Sequence, residues 1–258
     1  EEFRQRAVDE FGYEAAEAEH YGLSIAILAG DMQQGWAVSI LSRLAEEGGV
    51  DPRVALYLIH DAEMRVLSLL IDGEMRDVQF SKTDITEITE DDVIAMLTKK
   101  TGVLYEYAGK AGSMIGLDTC DEANPVIQAI SAFASGCGTA FQLQDDILGV
   151  VGDEEALGKP VGSDIREGKR TTIVLQAYRN ATDAQRARLT SILGNANADA
   201  DDLAAATAML RDLGGIEYTA KLAKSYVESA MAHLNAIPPS RYRDLLGFWA
   251  DYMVNREF

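Results

Sequence analysis

Between Gly138 and Thr172 the chain reads GTAFQLQDDILGVVGDEEALGKPVGSDIREGKRTT. Two adjacent carboxylates, Asp145 and Asp146, are followed by a third, Asp164, and by two lysines, Lys159 and Lys169. On a helix Gln142, Asp145 and Asp146 stand at i, i+3 and i+4, so their side chains project broadly the same way. Neighbouring carboxylates repel, and a buried one loses its hydration. A divalent cation removes that cost. Mg²⁺ takes hard oxygen ligands, typically one or two carboxylates together with substrate phosphates and water. The lysines are compact cations suited to phosphate, and the glycines around them permit close backbone approach. Lys99-Lys100-Thr101 is a second candidate phosphate contact. The composite is acids for a metal and lysines for a polyphosphate.

An Asp-Asp pair usually marks a helix start, where the macrodipole favours acids. Asp91-Asp92 and Asp201-Asp202 are read that way. Asp145-Asp146 differs, because it falls late in a helix whose apolar stripe, Val126, Ile130, Phe133, Cys137 and Phe141, keeps spacings of 4, 3, 4 and 4.

The elements that must position these groups all read as helix. Residues 1–12 are polar and weakly helical, and a helix over 13–45 is expected to be interrupted at Gly30-Asp31 and Gly35, with Leu23–Ala29 buried. Asp51-Pro52 caps a helix to about Phe80. Thr89-Glu-Asp-Asp92 starts another, which runs through Lys100 to about Gly116. The stripe-bearing helix begins near Asp121 and leads into a polar loop. Thr171 to Arg179 returns to helix, Thr182-Asp-Ala-Gln185 is a capping box, and Gly214-Gly215 and Pro238-Pro239 delimit a helix over 216–234 before a last one from about Arg241. No period-2 run flanked by hairpin turns occurs, so the fold class is all-α, in one domain over 1–258.

A net charge of −19 disfavours nucleic acid and anionic membrane surfaces, and requires any phosphate site to concentrate its cations locally. Cys120 and Cys137, the only cysteines, are in no metal-ligand spacing and point to a reducing compartment. No stretch approaches the roughly 20 uninterrupted apolar residues of a membrane helix, and the protein is expected to be cytoplasmic. Trp36, Trp249, Tyr105 and Tyr107 read as core or interface aromatics. His20, His60 and His233 form no metal or triad pattern.

FQLQDDILG followed by GDEEALGKPVGSDIREGKRT resembles the second aspartate-rich region of trans-isoprenyl diphosphate synthases, the polyprenyl synthetases. Ile27–Asp31, Gly73, Lys100-Thr101-Gly102 and Arg256 also fall where that family has similar residues. The resemblance implies a bundle of mostly antiparallel helices around a central cavity. It implies an enzyme that condenses an allylic diphosphate with isopentenyl diphosphate, head to tail, using Mg²⁺, in a homodimer. On the same resemblance Asp145 and Asp146 form the metal motif, Asp145 ligating the ion and Asp164 acting on it through water. Lys100, Lys159 and Lys169 hold the allylic diphosphate, Thr101 and Gln142 lie beside it, and Phe141 lines the site.

Two departures stand out. The family's five-residue pattern ends in Asp, where Gly149 stands here. Its first aspartate-rich motif, followed by paired arginines, has no match upstream of Gly30-Asp31; His60-Asp-Ala-Glu63 imitates it in the wrong order and is read as ordinary helix. With Glu1-Glu2-Phe3 opening the chain, the sequence is expected to be N-terminally incomplete. The alternative is a non-catalytic partner subunit of such a synthase, and a terpene cyclase of similar fold is a third reading.

Overall fold

The computed structural model describes residues 1–151 and 162–255, and among them every regular element is helical. The chain divides into two compact units, Glu1–His60 with Asp118–Cys120, and Asp61–Leu117 with Asp121–Phe258.

In the smaller unit α1 (Glu2–Phe11) ends at Gly12, whose φ of 68° is left-handed and suits glycine. It packs against α2 (Ala15–Glu46), with Phe11, Tyr13 and Tyr21 forming a cluster of rings 5.7–5.8 Å apart. The expected interruptions in α2 do not occur. A helical glycine costs about 1 kcal/mol against alanine, too little to break a helix of 32 residues, and a Cβ at Gly30 or Gly35 would meet no neighbour. Nor is Leu23–Ala29 buried: Leu23, Ile27 and Leu28 are all exposed, as are Met32, Trp36 and Ile40 further along. Asp51 caps α3 (Pro52–His60) as expected, its carboxylate accepting from the Arg53 N–H at 2.8 Å.

The larger unit is arranged around α7 (Pro125–Val151). Antiparallel α6 (Val103–Leu117) packs along one side of it and α12 (Gly215–Leu234) along another, while α13 (Arg241–Asn255) contacts both α7 and α12. Phe133, Cys137 and Leu143 from α7 enter a common core with Ile173 and Leu175 of α9 (Thr172–Asn180), Leu189 of α10 (Asp183–Ile192) and Leu210 of α11 (Ala200–Asp212). Each such side chain contributes about 1.5–3 kcal/mol on burial. Among the described residues only α7 is long and apolar enough to cross a membrane, and its place in this core accounts for that composition.

Local signals hold well here. The capping boxes at Thr89 and Thr182 are both formed, and Gly214, at φ 78°, separates α11 from α12. Two turns among the described residues are π-helical: Asp61–Val66, read from sequence as ordinary helix, and Thr98–Gly102, which carries Lys99, Lys100 and Thr101. Such turns are rare and common at functional sites. Between α7 and α9 the polar connection contains a short helix, α8 (Ser163–Glu167), with Asp164 in its first turn.

Candidate active site

Three helices of the larger unit bring the chemistry together. α4 (Leu67–Phe80) crosses the π-helical turn so tightly that a Cβ on Gly73 would lie 2.4 Å from the Lys100 backbone nitrogen. Only glycine fits there. The contact sets Lys100 against the carboxylates of α4, and its Nζ donates to Asp77 at 2.6 Å and is paired with Glu74 at 2.8 Å. Burial opposes the charge on Lys100, but the two carboxylates outweigh it and hold its pKa above the usual lysine value. Lys99 points instead to Asp72, at 2.5 Å.

From the same turn the Thr101 hydroxyl donates to Gln142 Oε1 at 2.8 Å, and Gln142 Nε2 donates to Asp146 Oδ1 at 3.1 Å. This chain ties the π-helical turn to the acidic end of α7. Asp146 is 5% exposed, and its Oδ2 has no hydrogen-bond partner among the described residues. Burial, with Asp164 and Asp145 nearby, pushes its carboxyl up to about 7 against the pull of Gln142 and Lys169. Asp145, on the next position, is partly exposed.

Asp164 enters from α8. Its Oδ1 accepts from Lys169 Nζ at 2.6 Å, and its Oδ2 is 2.6 Å from where a Cβ on Gly149 would stand. The space left at the position where the family pattern has Asp is thus filled by the Asp164 carboxylate. Burial opposes ionisation of Lys169, yet Asp164 and Glu167 keep its pKa well above normal.

Lys100 and Lys169 open onto one cavity of about 430 Å³, with Glu74, Asp77, Lys82 and Arg166 also on its walls. Residues 69 positions apart in sequence are therefore joined, as the sequence reading requires of a polyphosphate site. Lys159 and Arg256 lie outside the described residues. Glu74 and Asp77 were not foreseen; the signal for them was Gly73, which starts the Gly-Glu-x-x-Asp run that faces Lys100. The ring of Phe141 lies 5.6 Å from that of Tyr105.

The donor set suits a hard divalent cation shared with a ligand. Among the described residues no three His, Cys, Asp or Glu side chains are grouped closely enough to cage an ion by themselves. Mg²⁺ seldom uses such a cage; it takes one or two carboxylates and fills its shell with phosphate oxygens and water. The unpartnered oxygen of Asp146 fits that use.

Residues 12–210 match the family model described as Polyprenyl synthetase. The chain belongs to the polyprenyl synthetase family. The short chain isoprenyl diphosphate synthase of Methanothermobacter thermautotrophicus is 35% identical over 92% of this polyprenyl synthetase chain and 69% of its own length. The geranylgeranyl diphosphate synthase of Saccharolobus solfataricus is 33% identical with the same coverage. Among solved structures, the geranylgeranyl pyrophosphate synthase of Corynebacterium glutamicum, crystallised with isoprenyl diphosphate and magnesium, superposes with a TM-score of 0.82 at 26% identity, covering 99% of this chain and 69% of that one. The all-α class read from the sequence is the fold that these synthetases share.

Proposed function

We propose that this polyprenyl synthetase condenses an allylic diphosphate with isopentenyl diphosphate, head to tail, into a longer linear prenyl diphosphate. The observation that carries the reading is the convergence of Lys100 and Lys169 on one cavity, beside the carboxylate of Asp146 with its unpartnered oxygen.

Asp145 and Asp146 would hold Mg²⁺, with Asp164 acting through water. When bound, the cation neutralises the diphosphate and the leaving group's developing charge. Lys100 and Lys169, with Lys159, hold the diphosphate itself. Lys100 is paired with Asp77 and Glu74, and Lys169 with Asp164. Binding therefore exchanges carboxylate for phosphate oxygens, and the carboxylates keep both amines protonated until then. Thr101 and Gln142 hydrogen-bond beside the diphosphate, and Phe141 lines the hydrocarbon side.

The allylic C–O bond breaks with its electron pair leaving on diphosphate, and the isopentenyl double bond supplies the electrons of the new C–C bond. A proton is then lost from the carbon next to the cation so formed. Preorganised positive charge at the leaving group is the largest aid such a reaction can receive, and apolar surroundings keep water from the cation. No nucleophilic side chain is needed. Cytoplasmic location and homodimeric assembly belong to the same reading; two unpaired cysteines support the first, and family analogy the second.

A second reading is a non-catalytic partner of a prenyl synthase. The test is turnover of an allylic diphosphate and isopentenyl diphosphate with Mg²⁺. Released pyrophosphate and a longer linear diphosphate, both abolished by Asp145→Ala with Lys169→Ala, are expected. Activity that survives the double substitution overturns the site, turnover that appears only with a second subunit favours the partner reading, and cyclic hydrocarbon products favour a terpene cyclase.

A further inference from the structure

Four cations line the lysine cavity, and among the described residues carboxylates pair with only two of them. Lys100 is held by Asp77 and Glu74, and Lys169 by Asp164 and, at 3.6 Å, Glu167. Lys82 and Arg166 line the same cavity, yet neither has a carboxylate within ion-pair distance among the described residues. Arg166 donates from Nε to the Ala198 carbonyl at 3.4 Å, a long bond, and its other donors have no partner among those residues. The chain carries 42 acidic residues against 23 basic ones, so two unpaired cations in one cavity run against its composition. The fold puts them there. Lys82 lies in the turn that ends α4, its N–H donating to the Gln79 carbonyl at 3.0 Å, and Arg166 in the last turn of α8. Gly168, left-handed at φ 76°, brings the two helix ends together: a Cβ there would stand 2.9 Å from the Gly194 Cα and 3.5 Å from the Ser81 carbonyl oxygen. Only glycine suits that approach.

We propose that Lys82 and Arg166 are a receiving pair, which draws the anionic diphosphate into the cavity and passes it to Lys100 and Lys169. The inference rests on the diphosphate reading above. A diphosphate approaching a chain of net charge −19 is repelled on average, so a local field of opposite sign must capture it. Lys100 and Lys169 supply little of that field, because carboxylates at 2.6–2.8 Å offset their charge. Lys82 is exposed, whereas the Lys100 and Lys169 side chains are 25% exposed, so uncancelled charge meets solvent first. Steering of this kind raises the rate of association, is screened by salt, and leaves the rate of escape nearly alone.

Calorimetry with Mg²⁺ and inorganic diphosphate gives the Kd, and ³¹P exchange linewidths give the dissociation rate; together they yield the association rate. Lys82→Glu with Arg166→Glu is expected to slow association about tenfold at about 0.1 M salt, the gap closing at about 1 M as the Debye length falls from about 10 Å to about 3 Å. Dissociation is expected to change less than about twofold. The matched control is Lys221→Glu with Lys224→Glu, both exposed on α12, which alters the net charge equally and is expected to leave association within about twofold. Should the cavity double substitution not fold, Lys82→Glu alone, at an exposed position, still decides, with an expected slowing of about threefold. Equal slowing by both pairs, an association rate that the cavity pair leaves unmoved, or a loss confined to dissociation overturns the inference while sparing the diphosphate site. Failure of the unsubstituted protein to bind diphosphate with Mg²⁺ overturns both.

Discussion

Lys110 and Lys100 both meet two carboxylates, yet the larger unit uses them for opposite ends. Lys110 is 5% exposed and is paired with Asp61 at 2.9 Å and Glu122 at 3.0 Å, while Arg65 grips Asp61 through two nitrogens and reaches Glu106 at 3.1 Å. Burial opposes ionisation of Asp61, but Arg65 and Lys110 hold its pKa below the usual range. Every charge there is answered by protein. Around Lys100 and Lys169 the pairs are as short, but the neighbouring Asp146 keeps an oxygen without a partner among the described residues. Short ion pairs alone do not distinguish a site from a brace, nor does an opening, since Glu106, Lys110 and Glu122 line a cavity of about 390 Å³; the unanswered polar atom does. Asp61, in the run His60-Asp-Ala-Glu63 that imitates a metal motif in sequence, belongs to the brace.

The sharpest way to break the contrast is to remove one charge from the brace. Asp61→Ala leaves Lys110 and Arg65 buried without their shared partner and is expected to cost about 3–5 kcal/mol in urea unfolding, with Mg²⁺-dependent diphosphate binding kept in the folded fraction. Unchanged stability would make the brace ornamental. In the site, Lys169→Ala is expected to lower turnover about 10²–10³-fold, the scale for one preorganised donor at developing charge, with stability nearly unchanged. A large loss of stability with little loss of rate would reverse the assignment.

The pH dependence of Asp146 sharpens the comparison further. Its folded pKa of about 7 lies above that of an unfolded aspartate, so the folded state holds the extra proton between about pH 4 and 7. Stability from this group is therefore greatest below the unfolded pKa and falls as pH rises towards 7, by on the order of 2 kcal/mol after relaxation. Urea unfolding of metal-free protein at pH 5 and pH 8 should show that fall, and Asp146→Asn should remove most of it. A slope that survives the substitution belongs to another group. Smallest is Gly73→Ala, which presses a methyl into the Lys100 backbone and is expected to cost about 1–2 kcal/mol. It should also weaken diphosphate binding, since the displaced residue is Lys100 itself; no effect on binding would uncouple α4 from the site.

What could be read in the sequence was local. The helix start at Thr89, the box at Thr182, the cap at Asp51 and the apolar stripe of α7 each depend on residues within a turn or two, and each is present. Asp145 and Asp146 stood out because acids late in an apolar helix run against the macrodipole. Burial of Leu23–Ala29 was misjudged because apolar spacing shows a face and not what covers it. Gly30 and Gly35 looked like breaks because their propensity was weighed without the long helix on either side. Glu74 and Asp77 escaped because their partner Lys100 is on another helix, joined to theirs only through the close approach at Gly73. Trp249 and Tyr105, read as core or interface aromatics, stack at 5.8 Å where α13 packs within the larger unit.

The central claim is that Lys100 and Lys169, with the acids of α7, form one metal-dependent diphosphate site distinct from the Lys110 brace. Calorimetric titration of inorganic diphosphate tests it directly. Binding is predicted to require Mg²⁺, to be lost in Lys100→Ala and in Lys169→Ala, and to persist in Lys110→Met. Binding that ignores Mg²⁺, or that survives both site substitutions, would contradict it.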